Sequence, residues 1–431
     1  MKVAAAFVQT LASQLFQSLA SVATGVLIAR GLGPTGQGHY ATFAAGISLG
    51  AFIASLGQFH GNVLAAADSK TAPRVLLMRA LLHGAGTLLV LVVALLIGRE
   101  RLLPAGQQVL VFLFVLVLSL ESVAQMLSGI NLGRQHVTGW NISSVTQRFV
   151  YFVTVGFLAL RFGLRLEGVV ACWALATSLS VLVSSAWVWR RSTPDSIAPW
   201  MVGTVWGGRL ALGMRPFITV GLTLLLMRTD VWMLNPMLGA ATVGQMSIAI
   251  YMAEWLWYIP SILGNLLFAV VAADRGPLSV NRVARSARLV AALLVPTMLV
   301  LLVLGRSLVN VIYGPTYQHA GILFTLLLPG MTALGVHLVV DSYFAGSGFP
   351  PITIWGALGA VLAKVCLNLV VVPRWGAVGA ASATSLVYVG LLTLKVVWFK
   401  RTTGVGWRDL FLLSKSDIAY MISRKQALVG V

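Results

Sequence analysis

The sequence predicts an all-α integral membrane protein with about twelve transmembrane helices in two six-helix lobes. Three observations lead to this fold class. The 431-residue chain is 58% hydrophobic and only 10% charged, with a mean hydropathy of +0.91. Its long uncharged runs are separated by short basic loops, as in polytopic membrane proteins. Short motifs also recur at one fixed offset in the two halves, which indicates an internal duplication.

Twelve apolar runs are long enough to cross a bilayer. They cover about residues 8–30, 40–66, 78–98, 107–131, 141–160, 167–189, 212–236, 243–273, 288–305, 320–345, 352–373 and 376–399. The longest break, from Arg190 to Met214, follows six spans and precedes six more. We therefore predict an N-terminal lobe over residues 1–195, a C-terminal lobe over residues 196–399 and a cytoplasmic amphipathic tail over residues 400–431.

The repeated motifs lie 206 residues apart. The matched positions are Leu32-Gly33 and Gly38 against Leu238-Gly239 and Gly244, and residues 65–68 against residues 271–274. An offset that contains six spans, an even number, makes both copies enter the membrane in the same direction. Such a parallel repeat is typical of transporters, and two lobes that face each other leave a central cleft.

The basic residues lie mostly on one side of the predicted membrane. With the N-terminus in the cytoplasm, 20 of the 30 Lys and Arg residues lie on the cytoplasmic side and 7 on the other side, while Arg228, Lys364 and Lys395 lie within spans. This bias predicts that both termini are cytoplasmic. It also accounts for the net charge of +19 without a nucleic-acid partner.

Ionisable residues inside the spans are the first candidates for function, because a charge at the bilayer centre costs about 2.5–3.5 kcal/mol and usually faces a bundle interior or a watery cavity. Arg228 is the strongest candidate for an anion contact, since a guanidinium binds phosphate bidentately and keeps its charge. The alternative is an ion pair with Glu254 or Asp341 that only braces the lobe. Asp230 is two residues from Arg228, so the two do not face each other on one helix.

Further candidates follow from helical spacing in the tenth and eleventh spans. Lys364 and Asn368 are one turn apart, and we predict that they contact a phosphate. His337 and Asp341 are at i and i+4 and can pair, either as a proton relay or as a structural hydrogen bond. The candidate sites for a coupling ion, H⁺ or Na⁺, are Asp230, Glu254, His337 and Asp341.

Polar side chains share one face in several apolar helices. In the first span they fall at steps of 4, 3, 4 and 3 at Thr10, Gln14, Gln17, Ser21 and Thr24. Lipid would leave these groups without hydrogen bonds, so they meet water, a ligand or another helix. We predict that Gln14 and Gln17 line the cleft; the alternative is hydrogen bonding between helices. Glu121, Gln125 and Ser128 share a face of the fourth span.

The fifth and eighth spans add a cation and an aromatic stripe. Arg148 lies near the cytoplasmic end of the fifth span and is a further candidate for phosphate. In the eighth span, Tyr251, Glu254, Trp255 and Tyr258 follow i, i+3, i+4, i+7 spacing. Tyr251 and Trp255 either stack on sugar rings or form a packed aromatic core.

Several kinds of chemistry find no support in the sequence. Cys172 and Cys366 both lie in apolar runs, so we expect them to pack against neighbouring helices rather than to form a disulfide or bind a metal. We find no metal-ligand spacing, no nucleophile–base pair and no P-loop lysine motif, so we expect no catalytic residue, no metal and no cofactor beyond a coupling ion. The protein is therefore predicted not to be an enzyme.

Three segments resemble bacterial polysaccharide flippases of the Wzx type. Residues 29–41, ARGLGPTGQGHYA, are similar to the N-terminal signature of that group. Asp230, together with Leu238-Gly239 and Gly244, is similar to the start of the second lobe in these flippases. Residues 406–410, GWRDL, are similar to their C-terminal tail. The wider superfamily of multidrug, oligosaccharidyl-lipid and polysaccharide exporters shares the span layout, although the peptidoglycan-precursor flippases usually carry two further spans.

The resemblance implies a flippase that moves an undecaprenyl-pyrophosphate-linked oligosaccharide from the inner to the outer leaflet of the bacterial inner membrane. It implies a V-shaped cleft that opens alternately to each side and a cationic lumen. The implied partners are the lipid-linked oligosaccharide, membrane lipids, a polysaccharide polymerase and a chain-length regulator. Asp230, Glu254 and Asp341 would give this lumen mixed charge, which departs from a purely cationic one.

Two other functions compete with this reading. A cation-coupled multidrug or metabolite exporter could use the same scaffold, with the in-span acids binding protons or sodium. A membrane-embedded glycan polymerase or ligase would need a sizeable outer loop, and the longest outer loop here runs only from about Arg306 to His319.

Overall fold

The computed structural model describes residues 2–67, 72–97, 108–192, 210–274 and 276–413, and these residues form helices joined by short turns, without a β-strand. The α-helices in chain order are α1 (Lys2–Ala54), α2 (Gln58–Ala67), α3 (Pro73–Ile97), α4 (Gln108–Gly133), α5 (Val137–Arg161), α6 (Leu166–Arg190), α7 (Leu210–Leu238), α8 (Ala240–Ala253), α9 (Tyr258–Ala273), α10 (Pro277–Tyr313), α11 (Gln318–Gly346), α12 (Pro351–Thr403) and α13 (Trp407–Phe411). Short 3₁₀ helices precede α9 (Glu254–Trp257) and α11 (Pro315–Tyr317). The predicted all-α membrane fold is confirmed.

Ten helical stretches among the described residues are long and apolar enough to cross a membrane. Two of them lie in α1 and α12, helices that contain 53 residues each. Such a helix is about 80 Å long at ~1.5 Å per residue, well over twice the hydrocarbon thickness of a bilayer. Each is broken by a glycine with positive φ, Gly33 at +66° and Gly376 at +57°. Each therefore supplies two crossings, and the chain is a multi-pass membrane protein.

The turns at Gly33 and Gly239 have nearly the same backbone conformation. Gly33 has φ 66° and ψ 177°, and Gly239 has φ 82° and ψ 168°. This region is essentially open to glycine alone. The two glycines are the pair matched in the sequence at an offset of 206 residues. The same turn therefore joins the first two spans of each half, as a parallel repeat requires.

Two predicted spans contain breaks that hydropathy does not reveal. The span predicted over 40–66 is interrupted after Ala54, where Leu56 and Gly57 have φ values of 47° and 71°. The span predicted over 243–273 tightens into the 3₁₀ helix before α9. The second helix of each half is thus interrupted. Hydropathy does not detect such a break, because the sequence stays apolar on both sides of it.

The described chain divides into two compact units, residues 1–221 and residues 222–431. In the first unit, α4 packs against α1, α2, α3 and α6, with a core that includes Leu76, Met126 and Ile130. In the second unit, α11 packs against α8, α9, α10 and α12. These two central helices are the fourth span of each half. The predicted boundaries at 195/196 and 399/400 stay predictions.

The predicted C-terminal tail begins in the last turn of α12 and continues into α13, which packs against α10. Leu410 is fully buried in this contact, whereas Trp407 is 39% exposed. Residues 414–431 of the predicted amphipathic tail lie outside the described residues.

Candidate functional site

The best-defined charge cluster of the second unit surrounds Asp230 on α7. Lys364 of α12 lies 2.8 Å from Asp230, from Nζ to Oδ2, and both side chains are almost completely excluded from solvent. The same ammonium donates to the main-chain carbonyl of Leu226 at 2.9 Å and lies 5.4 Å from the ring centre of Tyr388. A buried pair of this kind is electrically neutral, and removing one partner would leave an uncompensated charge.

Two further donors complete the surroundings of Asp230. Asn368 Nδ2 donates to Oδ1 at 3.1 Å, and the Thr384 hydroxyl donates to Oδ2 at 2.9 Å. Asn368 and Thr384 are also buried, and the Asn368 carbonyl oxygen has no hydrogen-bond partner. Lys364 and Asn368 thus belong to one closed cluster with Asp230 in this conformation. Their predicted contact with phosphate stays a prediction.

Arg228 lies on α7 two residues before Asp230 and contacts a different acid. Its Nη1 is 3.9 Å from Glu254 Oε1, and the two side chains are 26% and 21% exposed. Arg228 Nε is buried without a hydrogen-bond partner. The two residues that are i and i+2 on α7 therefore have separate partners, as their spacing predicts. The pair is long and partly open, and Nε lacks a partner, so this guanidinium keeps a donor for a ligand.

The aromatic stripe predicted around Glu254 changes its geometry at the 3₁₀ helix. Tyr251 is half-buried, whereas Trp255 is 46% exposed and lies edge to face with Tyr258, with ring centres 6.3 Å apart. Because the 3₁₀ helix turns by three residues rather than 3.6, the predicted i, i+3, i+4, i+7 face is not continuous. Trp255, the residue after Glu254 in the sequence, still presents an accessible aromatic surface.

Asp341 on α11 pairs with Lys395 of α12 rather than with His337. Lys395 Nζ donates to Asp341 Oδ1, and this lysine is 2% exposed. His337 is 7% exposed, and its Nδ1 has no hydrogen-bond partner. Among the described residues the hydrogen bond to Asp341 comes from Lys395, and the proton relay predicted for His337 and Asp341 stays a prediction. A full positive charge on the neighbouring helix competes better for a carboxylate than an imidazole one turn away.

The first unit contains a different kind of carboxylate site. Glu121 Oε1 on α4 accepts three hydrogen bonds, from Gln147 Nε2 at 2.7 Å, Trp173 Nε1 at 2.7 Å and Thr177 Oγ1 at 3.1 Å. Gln147 lies on α5, and Trp173 and Thr177 lie on α6. Within the described part of the chain no Lys or Arg forms an ion pair with Glu121. Neutral donors alone balance this carboxylate.

The polar face of the first span partly engages α5. Asn141 accepts from the Ser13 hydroxyl at 3.0 Å and donates to Thr10 Oγ1 at 3.1 Å. Hydrogen bonding between helices, the alternative considered for this face, therefore occurs at its first turns. Gln14 and Gln17, the residues predicted to line the cleft, are half-buried, and Arg148 on α5 is exposed.

The titration of His136, which lies outside the spans, is perturbed in the folded protein. Burial, with Arg191 and Arg134 as positive neighbours, lowers the pKa of His136 below its ordinary value of 6.5. His136 lies in the turn before α5. The folded protein therefore favours the neutral imidazole at this position.

The sequence patterns missed several members of these clusters. The missed residues are Trp173 and Thr177 at Glu121, Thr384 and Tyr388 at Asp230, and Lys395 at Asp341. Each comes from a helix other than the one that carries the acid. Helical spacing reveals which residues share a face, but it does not reveal which faces meet.

The fold is similar to that of solved membrane transporters. A MOP superfamily transporter from Pyrococcus furiosus has a TM-score of 0.67 at 15% identity, with 92% of this chain and 94% of that chain covered. The lipid II flippase MurJ in an inward closed conformation has a TM-score of 0.69 at 13% identity, with 94% and 89% covered. An outward-facing multidrug resistance transporter of the MATE family has a TM-score of 0.66 at 15% identity, with 92% and 94% covered.

No family model and no curated protein matches the sequence. At these identities the similarity establishes the fold alone. The chain therefore shares the helical fold of these transporters, and its membership in the superfamily predicted from the sequence stays a prediction.

Proposed function

We propose that this protein is a flippase that moves an undecaprenyl-pyrophosphate-linked oligosaccharide from the inner to the outer leaflet of the bacterial inner membrane by ion-coupled alternating access. Both termini are cytoplasmic in this proposal, and a polysaccharide polymerase and a chain-length regulator act on the product. The fold supports the proposal, because it is shared with a flippase of a lipid-linked substrate.

The observation that carries the proposal is the state of Arg228. It lies ten residues before the end of α7 at Leu238, which is about 15 Å along the helix and so near the middle of a bilayer core. There it keeps a 3.9 Å contact with Glu254 and a buried Nε without a partner. A permanent cation with unsatisfied donors at this depth is suited to an anion such as pyrophosphate.

Polar and aromatic groups would bind the sugar part of the substrate. Trp255 is 46% exposed, and an indole face stacks well on the apolar face of a pyranose ring. Gln14 and Gln17 in the first unit and Tyr251 in the second unit are half-buried, and their predicted contacts with sugar stay predictions. The lipid tail would stay in the bilayer.

The second candidate is a cation-coupled exporter of drugs or metabolites on the same fold. Glu121 favours this alternative, because its neutral neighbours leave its negative charge available to a proton, a sodium ion or a cationic solute. The acids of the second unit, Asp230, Glu254 and Asp341, already have a basic partner each.

A deletion strain and reconstituted vesicles distinguish the two candidates. The first measurement follows the leaflet accessibility of the lipid-linked oligosaccharide in cells without the gene and without a redundant copy. The flippase proposal predicts accumulation in the inner leaflet and rescue by the wild-type gene but not by Arg228→Gln. Continued export in the deletion strain, together with new sensitivity to cationic drugs, would instead support the exporter.

A further inference from the structure

A basic cavity lies at the N-terminal end of α10, where α13 covers it. Its volume is about 470 Å³, within the range of small-molecule sites. Its polar lining consists of Asn281, Arg282, Arg285, Arg288 and Asp409. All of these residues belong to the second unit, and none belongs to the charge clusters described above.

The three arginines follow one another at steps of three residues, so they lie along one side of α10. Arg282 is exposed, and Arg285 and Arg288 are half-buried. Arg288 donates to the main-chain carbonyl of Asp409, which fixes α13 as a wall of the cavity. The carboxylate of Asp409 accepts from the Gly406 amide at 3.2 Å and caps its own helix. Three cations and one acid leave the cavity with excess positive charge.

The surroundings of the cavity are apolar and exposed. Leu278 is 69% exposed at its rim, and Trp407 is 39% exposed on α13. Further along α10, within the span predicted over 288–305, Leu293 and Val295 are both more than 40% exposed. The arginines lie at the start of the predicted span, where basic side chains are expected at the level of lipid headgroups.

We propose that this cavity binds the phosphate of an anionic phospholipid. The arginines hold the phosphate with charge-assisted hydrogen bonds, and the acyl chains run along the exposed apolar surface of α10. Free inorganic phosphate has the same charged chemistry but gains nothing from that apolar surface. Basic residues at a cytoplasmic membrane face also direct topology, but topology depends on charge alone and does not require three arginines in one cavity.

The test is native mass spectrometry of the full-length protein in detergent, titrated with phosphatidylglycerol or with phosphatidylcholine of the same acyl chains. The variants are Arg282→Gln, Arg285→Gln and their double, and the matched control is Arg190→Gln in the last turn of α6. Monodisperse elution and an unchanged melting temperature in phosphatidylcholine verify that each variant folds.

We expect the wild type and Arg190→Gln to prefer phosphatidylglycerol at one site. Each arginine removed should weaken that preference about fivefold, the effect of one basic residue at an anionic surface. Equal binding of the two lipids by the wild type, or an unchanged preference in the double variant, would overturn the proposal. Competition by millimolar inorganic phosphate alone would overturn the lipid assignment.

Discussion

The two halves of this protein place acids in the membrane in different ways. In residues 1–221, Glu121 is surrounded by the neutral donors of Gln147, Trp173 and Thr177. In residues 222–431, each in-span acid has a basic partner, and these pairs are Asp230–Lys364, Glu254–Arg228 and Asp341–Lys395. In the first half, hydrogen-bond dipoles stabilise the Glu121 carboxylate. In the second half, each acid forms an ion pair with a basic side chain, and the pair has no net charge.

This difference separates two roles that the sequence could not distinguish. In the proposed exporter, a cation would meet no built-in basic partner at Glu121, whereas at Asp230 it would have to displace a buried lysine. Within the second half, the pairs differ again. Asp230–Lys364 is closed, and Arg228–Glu254 is partly open. The closed pair is suited to holding helices together and the open one to binding a ligand.

The largest expected effect concerns the closed pair. Lys364→Met or Asp230→Asn alone should lower the free energy of unfolding by about 3–5 kcal/mol, because each leaves one buried group uncompensated. The double variant should recover most of that loss, since no unpaired charge remains. SDS titration in mixed micelles measures all three. Strictly additive losses would mean that the two residues do not act as a pair.

Substitutions at Gly33 and Gly239 test whether the same strained turn joins the first two spans of both halves. Gly33→Ala and Gly239→Ala should each cost about 1–3 kcal/mol, because the backbone conformation is strained for any residue with a Cβ. Neither Cβ would meet another atom within 4 Å, so the loss would come from the backbone alone. Gly25→Ala is the matched control, since it also meets nothing within 4 Å but lies in regular helix. A harmless change at either turn would contradict the repeat.

Glu121 should respond to neutralisation far less than Asp230. Glu121→Gln keeps a carbonyl acceptor for the three donors, so we expect a nearly unchanged free energy of unfolding. Glu121→Ala leaves those donors unsatisfied and should cost about 1–3 kcal/mol. If Glu121→Gln destabilised as strongly as Asp230→Asn, the contrast between the halves would fail.

The smallest effect is a pH dependence in the first half. Because the pKa of His136 is lowered in the folded protein, protonation favours the unfolded state. The neutral imidazole of His136 contributes its full share to the free energy of unfolding above pH 6.5. This contribution is lost as the pH falls from 6.5 through the lower pKa of the folded protein. His136→Gln should therefore lose less melting temperature than the wild type between pH 7.5 and pH 5.5. An identical loss in both proteins would remove His136 as the cause.

Hydropathy and spacing predicted the membrane class, the twelve crossings and the repeat, because these depend on local composition and on a fixed offset. They also separated Arg228 from Asp230, since that follows from helix geometry alone. Hydropathy and spacing did not predict that Lys395 would donate a hydrogen bond to Asp341, or that the Thr384 hydroxyl would donate one to Asp230. Those contacts depend on how α7, α11 and α12 pack, which is a property of the assembled half. Hydropathy missed the breaks at Leu56 and Glu254, because the residues on both sides of each break are apolar.

The most direct test of the central claim is the affinity of the purified protein for undecaprenyl pyrophosphate compared with undecaprenol. If Arg228 binds the anionic group, the wild type should prefer the pyrophosphate, and Arg228→Gln should reduce that preference at least about tenfold, the value of one charge-assisted hydrogen bond. Arg374→Gln, an exposed arginine with the same change of charge, should keep the preference. No preference in the wild type, or an intact preference in Arg228→Gln, would contradict the account.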